Sequence, residues 1–171
     1  MWIGAAALMV LPLTAVRGLD PGAWDPPGDF MFLAILLAGV GAAYEVAVRV
    51  PHRRAYRAAA AVAIAAGLIQ IWVNLAVGII GSEHNPANWI YAAVVAVAAI
   101  GAVAARFRAT GMAAAMTAAA LAQILAFFVA LAAGLGFTGP ITVFFAGLWL
   151  ISAWLFRKAA RAEVAGVYAA T

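Results

Sequence analysis

Cysteine is absent from all 171 residues. Its absence excludes disulfides, thiolate metal sites, iron–sulfur clusters, thiol nucleophiles and S-palmitoyl anchors, and it leaves the redox compartment unmarked. Charge is scarce as well. Only 9% of the residues are charged, where a soluble domain carries about 25%. A chain with so few charged groups cannot cover itself with polar surface in water. A soluble globular enzyme, a disordered tail and a coiled coil are therefore excluded.

What is present is apolar. The apolar set makes up 68% of the chain, and the mean hydropathy is +1.08. Since ~20 apolar residues build one spanning helix, the composition predicts a polytopic membrane protein. The net charge of +4 and the pI near 10.1 do not point to nucleic acid. The basic residues sit in short loops between apolar runs, where they act as topology signals.

Six apolar runs are legible, at about 2–16, 30–50, 58–81, 85–105, 112–133 and 140–156, followed by a short basic tail at 157–171. None alternates polar with apolar residues, so strands are excluded. Backbone groups in lipid must be satisfied internally, and helices follow. The fold class is an all-α polytopic membrane bundle of six transmembrane helices in three hairpins. Arg49, Arg53, Arg54 and Arg57 flank the second loop, Arg106 and Arg108 fill the fourth, and Arg157, Lys158 and Arg161 follow the last run. Of the basic residues only Arg17 falls in an odd-numbered loop, so both termini are expected in the cytoplasm. Trp24, Trp89 and Tyr91 fit an outer aromatic belt, and Tyr56 and Trp154 an inner one. The first run lacks a basic n-region, and Thr14-Ala15-Val16-Arg17 is a poor cleavage site, so its retention is expected.

A weak parallel repeat can be read across the hairpins. Pro27, Pro86 and Pro140 precede the inward-running helices, and Arg49, Arg106 and Arg157 lie near their ends. Leu68-Ile69-Gln70-Ile71 also echoes Leu121-Ala122-Gln123-Ile124. Such a repeat has its axis along the membrane normal. Small residues one turn apart, such as Gly39 with Ala43 and Gly101 with Ala105, predict close helix approach.

Polar residues within the runs are the functional candidates. Glu45 is the only carboxylate inside a span. An intramembrane acid invites a proton or ion role, but Arg49 one turn later makes an i,i+4 pair the simpler account. Gln70 and Asn74 share one helix face, away from Trp72, and Gln123 falls near mid-depth of the fifth run. They either line a polar path or hydrogen-bond between helices. The second reading is preferred, because amides cannot relay net charge.

The loop Gly81-Ser82-Glu83-His84-Asn85-Pro86-Ala87-Asn88-Trp89 contains the Asn-Pro-Ala triplet of aquaporins. Those channels need two such triplets on half-helices, and this chain has one, followed by a full-length run. Asn85 is instead read as an N-cap with Pro86 at the first helical position. Glu83, His84 and Asn88 then form an outward-facing polar cluster. One His and one Glu make no metal site without other donors, and His52 and His84 lie on opposite sides, so they cannot ligate one haem. No Ser–His–Asp set, phosphate loop or paired carboxylates can be assembled. No cofactor, no metal and no catalytic residue is expected.

The stretch from Trp72-Val73-Asn74 through Gly78-Ile79-Ile80-Gly81-Ser82-Glu83 to Asn85-Pro86-Ala87-Asn88 resembles a family of small, uncharacterised bacterial inner-membrane proteins. Asp29-Phe30, Tyr44-Glu45, Tyr56-Arg57, Ala105-Arg106-Phe107, Gly111-Met112, Ala122-Gln123 and Trp154-Leu155-Phe156-Arg157-Lys158-Ala159 fit the same pattern. The resemblance implies a bacterial inner membrane and no particular chemistry.

Three functional classes follow. The first is a non-catalytic accessory, assembly or scaffold component that binds membrane helices and lipids, and it is the expected one. The alternative is a small-solute or ion transporter or channel acting as a homo-oligomer. An enzyme comes last, because it needs ligands or nucleophiles that are missing.

Overall fold

A computed structural model describes Gly41, Glu45, residues 54–82 and residues 84–168, with side chains described up to 165. The chain divides into two compact units, Met1–Ala43 and Tyr44–Thr171. Every helix below belongs to the second. The described residues contain no strand, and their four long helices are α1 (Arg54–Ala76), α2 (Trp89–Ala104), α3 (Ala109–Ala132) and α4 (Gly139–Tyr168). A 3-10 turn at Pro86–Asn88 leads directly into α2. Counting that turn with α2, all four are long and apolar enough to cross a membrane. They correspond to the third to sixth runs of the sequence. The run at 2–16 lies outside the described residues, as does 30–50 apart from Gly41 and Glu45. Glu45 is helical and exposed; its expected partner Arg49 lies outside the described residues.

Short connections make successive helices antiparallel. α3 packs against both α2 and α4, α1 packs mainly on α4, and the α1–α2 contact is slight. One end of the bundle carries the connections 77–88 and 133–138. The other carries Arg54, Arg57, Arg106, Arg108 and Arg157. These are called below the amide end and the arginine end.

Two boundaries differ most from the sequence reading. The third run was read to 81, yet α1 stops at Ala76. Gly78 and Gly81 adopt φ values of 77° and 69°, a left-handed conformation that glycine tolerates and that ends the helix. The N–H groups of Val77 and Gly78 both donate to the Val73 carbonyl, closing that end. The residues set apart as a tail at 157–171 are helical as far as Tyr168. Ala159 and Ala160 are buried, so α4 keeps a packed face beyond Phe156.

At the arginine end the core is made of small residues. Ala59, Ala98, Ala109, Ala113, Ala115 and Ala159 are buried there, filled in by Met112, Met116 and Phe156. A methyl group added at Gly101 would meet the Ala115 Cβ at 2.7 Å and its Cα at 3.3 Å. α2 and α3 therefore approach at backbone distance, as small residues permit. The α2–α3 connection is a Schellman cap. Arg106 N–H donates to Val103 O at 2.9 Å and Phe107 N–H to Ala102 O at 3.2 Å. Its left-handed residues are Arg106 and Phe107 (φ 47° and 56°). The Tyr56 hydroxyl fastens the turn from α1 by donating to the Phe107 carbonyl at 2.7 Å.

Candidate functional site: a buried amide network

Gln70 lies in the last third of α1, on the face that also carries Tyr56, Ala59, Ala66 and Asn74. Its spacing of three and four residues from the other buried positions turns it inward, while Trp72 on another side is exposed. The Gln70 side chain is fully buried and reaches each of the other three helices. Its Nε2 donates to the Tyr91 carbonyl on α2 at 3.0 Å and to Gln123 Oε1 on α3 at 2.8 Å. Its Oε1 accepts from the Trp149 indole on α4 at 3.2 Å. An indole N–H only donates and a backbone carbonyl only accepts, so these two partners fix the orientation of the Gln70 amide. That orientation in turn sets Gln123, whose oxygen must face Gln70. Gln123 Nε2 is then left buried without a partner.

One turn further along α1, Asn74 Nδ2 donates to the Asn88 carbonyl at 3.1 Å, and Asn74 Oδ1 has no partner. The Asn88 side chain holds the connection that follows α1. Its Oδ1 accepts from Ile79 N–H at 2.9 Å and Ile80 N–H at 2.7 Å, while its Nδ2 donates to Ser82 O at 2.7 Å. Asn85 caps the 3-10 turn through a bond from Ala87 N–H to its Oδ1 at 3.0 Å, with Pro86 in the first position. On the α4 side, the Tyr91 and Thr138 hydroxyls share a hydrogen bond of 2.6 Å. Thr142, one turn beyond Thr138, is buried with an unpartnered Oγ1.

The expected site residues thus separate into groups. Gln70 and Gln123 meet directly, and Asn74 meets Asn88. Asn88 departs from the outward-facing cluster expected of Glu83, His84 and Asn88. His84 is exposed, but Asn88 is buried because its amide satisfies the backbone of the preceding connection. Glu83 lies outside the described residues. Tyr56 and Tyr91, expected in aromatic belts, point into the bundle and spend their hydroxyls on Phe107 O and Thr138. Trp89 and Trp154 are exposed.

The sequence reading missed Trp149, Thr138, Thr142 and Ser152. The last donates to the Ala59 carbonyl at 2.9 Å. Their signal was available: positions 138, 142, 145, 149, 152 and 156 alternate steps of four and three, and all are buried. Chemically the network is neutral. Amides and hydroxyls can orient a polar molecule or tie helices together, but they cannot carry net charge. Among the described residues no three His, Cys, Asp or Glu side chains gather in a metal-binding group. No protein-family model, no curated protein and no solved structure matches the chain.

Proposed function

We propose that this protein is a non-catalytic component of a bacterial inner membrane, an accessory, assembly or scaffold subunit that packs against other membrane helices and lipids. One observation carries the reading: the buried polar side chains from all four helices are uncharged and engaged mainly with one another or with backbone. Such a network specifies one arrangement of the bundle. The surface it leaves for partners is apolar, with Ile100, Leu121, Leu125, Phe128, Val143 and Trp154 among the exposed side chains.

The reading includes six spans in three hairpins with both termini in the cytoplasm, supported by the arginine distribution. Mild-detergent purification followed by mass spectrometry tests the function. A stable heteromeric partner is the expected outcome, and a pure homo-oligomer would overturn it. Reporter fusions after Arg57 and Arg108 should read cytoplasmic, and one near Gly136 external.

A transporter for a small neutral solute is the second reading. It is favoured by the unpartnered Asn74 Oδ1, Gln123 Nε2 and Thr142 Oγ1, since native interiors rarely leave buried polar atoms unpaired. Solute flux in proteoliposomes that Gln123→Leu abolishes would move this reading to first place.

A further inference from the structure

We propose that Arg157, Lys158 and Arg161 form a binding site for the headgroup of an anionic phospholipid on the exposed side of α4. The inference rests on the membrane reading above. α4 has 30 residues, a length of about 45 Å, which exceeds the ~30 Å hydrocarbon layer. Its last turns therefore stand at or beyond the boundary. Trp154, 60% exposed, marks that boundary, because exposed indoles settle at headgroup depth. Lys158 lies one turn on, with its Nζ 5.5 Å from the Trp154 ring centre.

Arg157 is held on the neighbouring helix. Its Nη2 donates to Thr117 Oγ1 at 3.1 Å, and that hydroxyl spends its own proton on the Ala113 carbonyl at 2.8 Å. A guanidinium has five N–H donors in a planar fork, so most of this one is left for an anion. Arg161 is exposed one turn further. It stands at i+4 from Arg157 and i+3 from Lys158, spacings at which like charges repel. Glu163 is at neither spacing from any of the three, so the helix supplies no counter-charge where the cations gather. An anion at headgroup depth with several acceptor oxygens supplies it, and a phosphodiester with one net charge fits the arginine fork.

The test uses the full chain purified in nonionic detergent, titrated separately with dioleoylphosphatidylglycerol, dioleoylphosphatidylcholine and inorganic phosphate. Bound lipid is counted by native mass spectrometry. The wild type should retain phosphatidylglycerol about tenfold over phosphatidylcholine, from summed cation–anion attraction. Arg161→Gln, which breaks no hydrogen bond among the described residues, should cut that preference about fivefold. Arg157→Lys, which keeps the charge, should hold it within about threefold. Arg106→Gln, at the same end but on another element, should leave it unchanged. Equal retention of both lipids, or an unchanged preference in Arg161→Gln, would overturn the site. An equal loss in Arg106→Gln would also overturn it, by showing a diffuse basic surface. Displacement of lipid by equimolar inorganic phosphate would overturn the lipid as the source of the anion. Resistance of the protein to carbonate extraction from membranes is measured alongside. Extraction would refute the membrane reading, whereas retention without lipid preference refutes the headgroup site alone.

Discussion

At the amide end of the bundle a connected set of amide side chains reaches across from helix to helix; at the arginine end alanine and glycine bring α2 and α3 together, and only separate polar ties from Tyr56, Ser152 and Arg157 cross between elements. Gln70 alone touches α2, α3 and α4, whereas the α2–α3 approach at Gly101 and Ala115 leaves no room for one further methyl group. The first contact type is directional and fixes rotation and depth. The second is short-ranged and fixes distance. A bundle in lipid gains little from burying apolar surface, because lipid tails are as apolar as leucine. Specificity therefore has to come from these two sources, and among the described residues the connected amides are concentrated at one end and the closest backbone approach at the other.

Substitutions at the two ends should separate these contributions, with stability read from SDS-induced unfolding in mixed micelles. Gln70→Ala should be the most damaging. It removes three hydrogen bonds and opens a cavity among four helices, at a cost of about 3 kcal/mol. Gly101→Ala at the opposite end should cost about 2 kcal/mol, because the Ala115 Cβ is fixed to its backbone and cannot rotate away. If the second loss exceeded the first, close packing would dominate and the amide network would be secondary. Asn85→Ala should cost about 1 kcal/mol, the value of one N-cap, and Asn85→Asp should be tolerated. Gln123→Leu should be the mildest, about 0.5 kcal/mol. It loses one bond but also removes a buried donor that has no partner. A Gln123→Leu loss as large as that of Gln70→Ala would show that Gln123 Nε2 is engaged in the membrane by a molecule from outside the chain.

The helical character of α1 to α4 was legible because each is a long apolar run without alternation, and the Asn85-Pro86 start was legible because cap and proline occupy fixed positions. Gln70 and Gln123 were also singled out correctly as candidates for interhelical bonding. Their direct meeting was not readable, since periodicity places a residue on a face without saying which helix stands opposite. Asn88 was misassigned for a related reason. An asparagine in a loop reads as exposed, and only the return of residues 79–82 towards the start of α2 gives its amide backbone partners at Ile79, Ile80 and Ser82. Trp149 was not singled out, because hydrophobic periodicity weighs its ring and ignores its single N–H. The end of α4 was cut short at Phe156, where charge begins, although Ala159 and Ala160 continue the buried stripe.

The two Schellman caps among the described residues differ at one position. After α3 the left-handed residue is Gly134 (φ 69°), the usual occupant. After α2 it is Arg106, followed by Phe107 in the same unfavourable region, where an L side chain costs roughly 1 kcal/mol or more per residue. A folded protein would be better served by glycine. On the topology proposed above, an arginine at this turn is useful earlier, during synthesis, when a nascent hairpin must be retained on one side of the bilayer and positive charge decides which. Arg106→Gly should then give a bundle that resists unfolding better once formed, and a chain that is more often inserted the wrong way round.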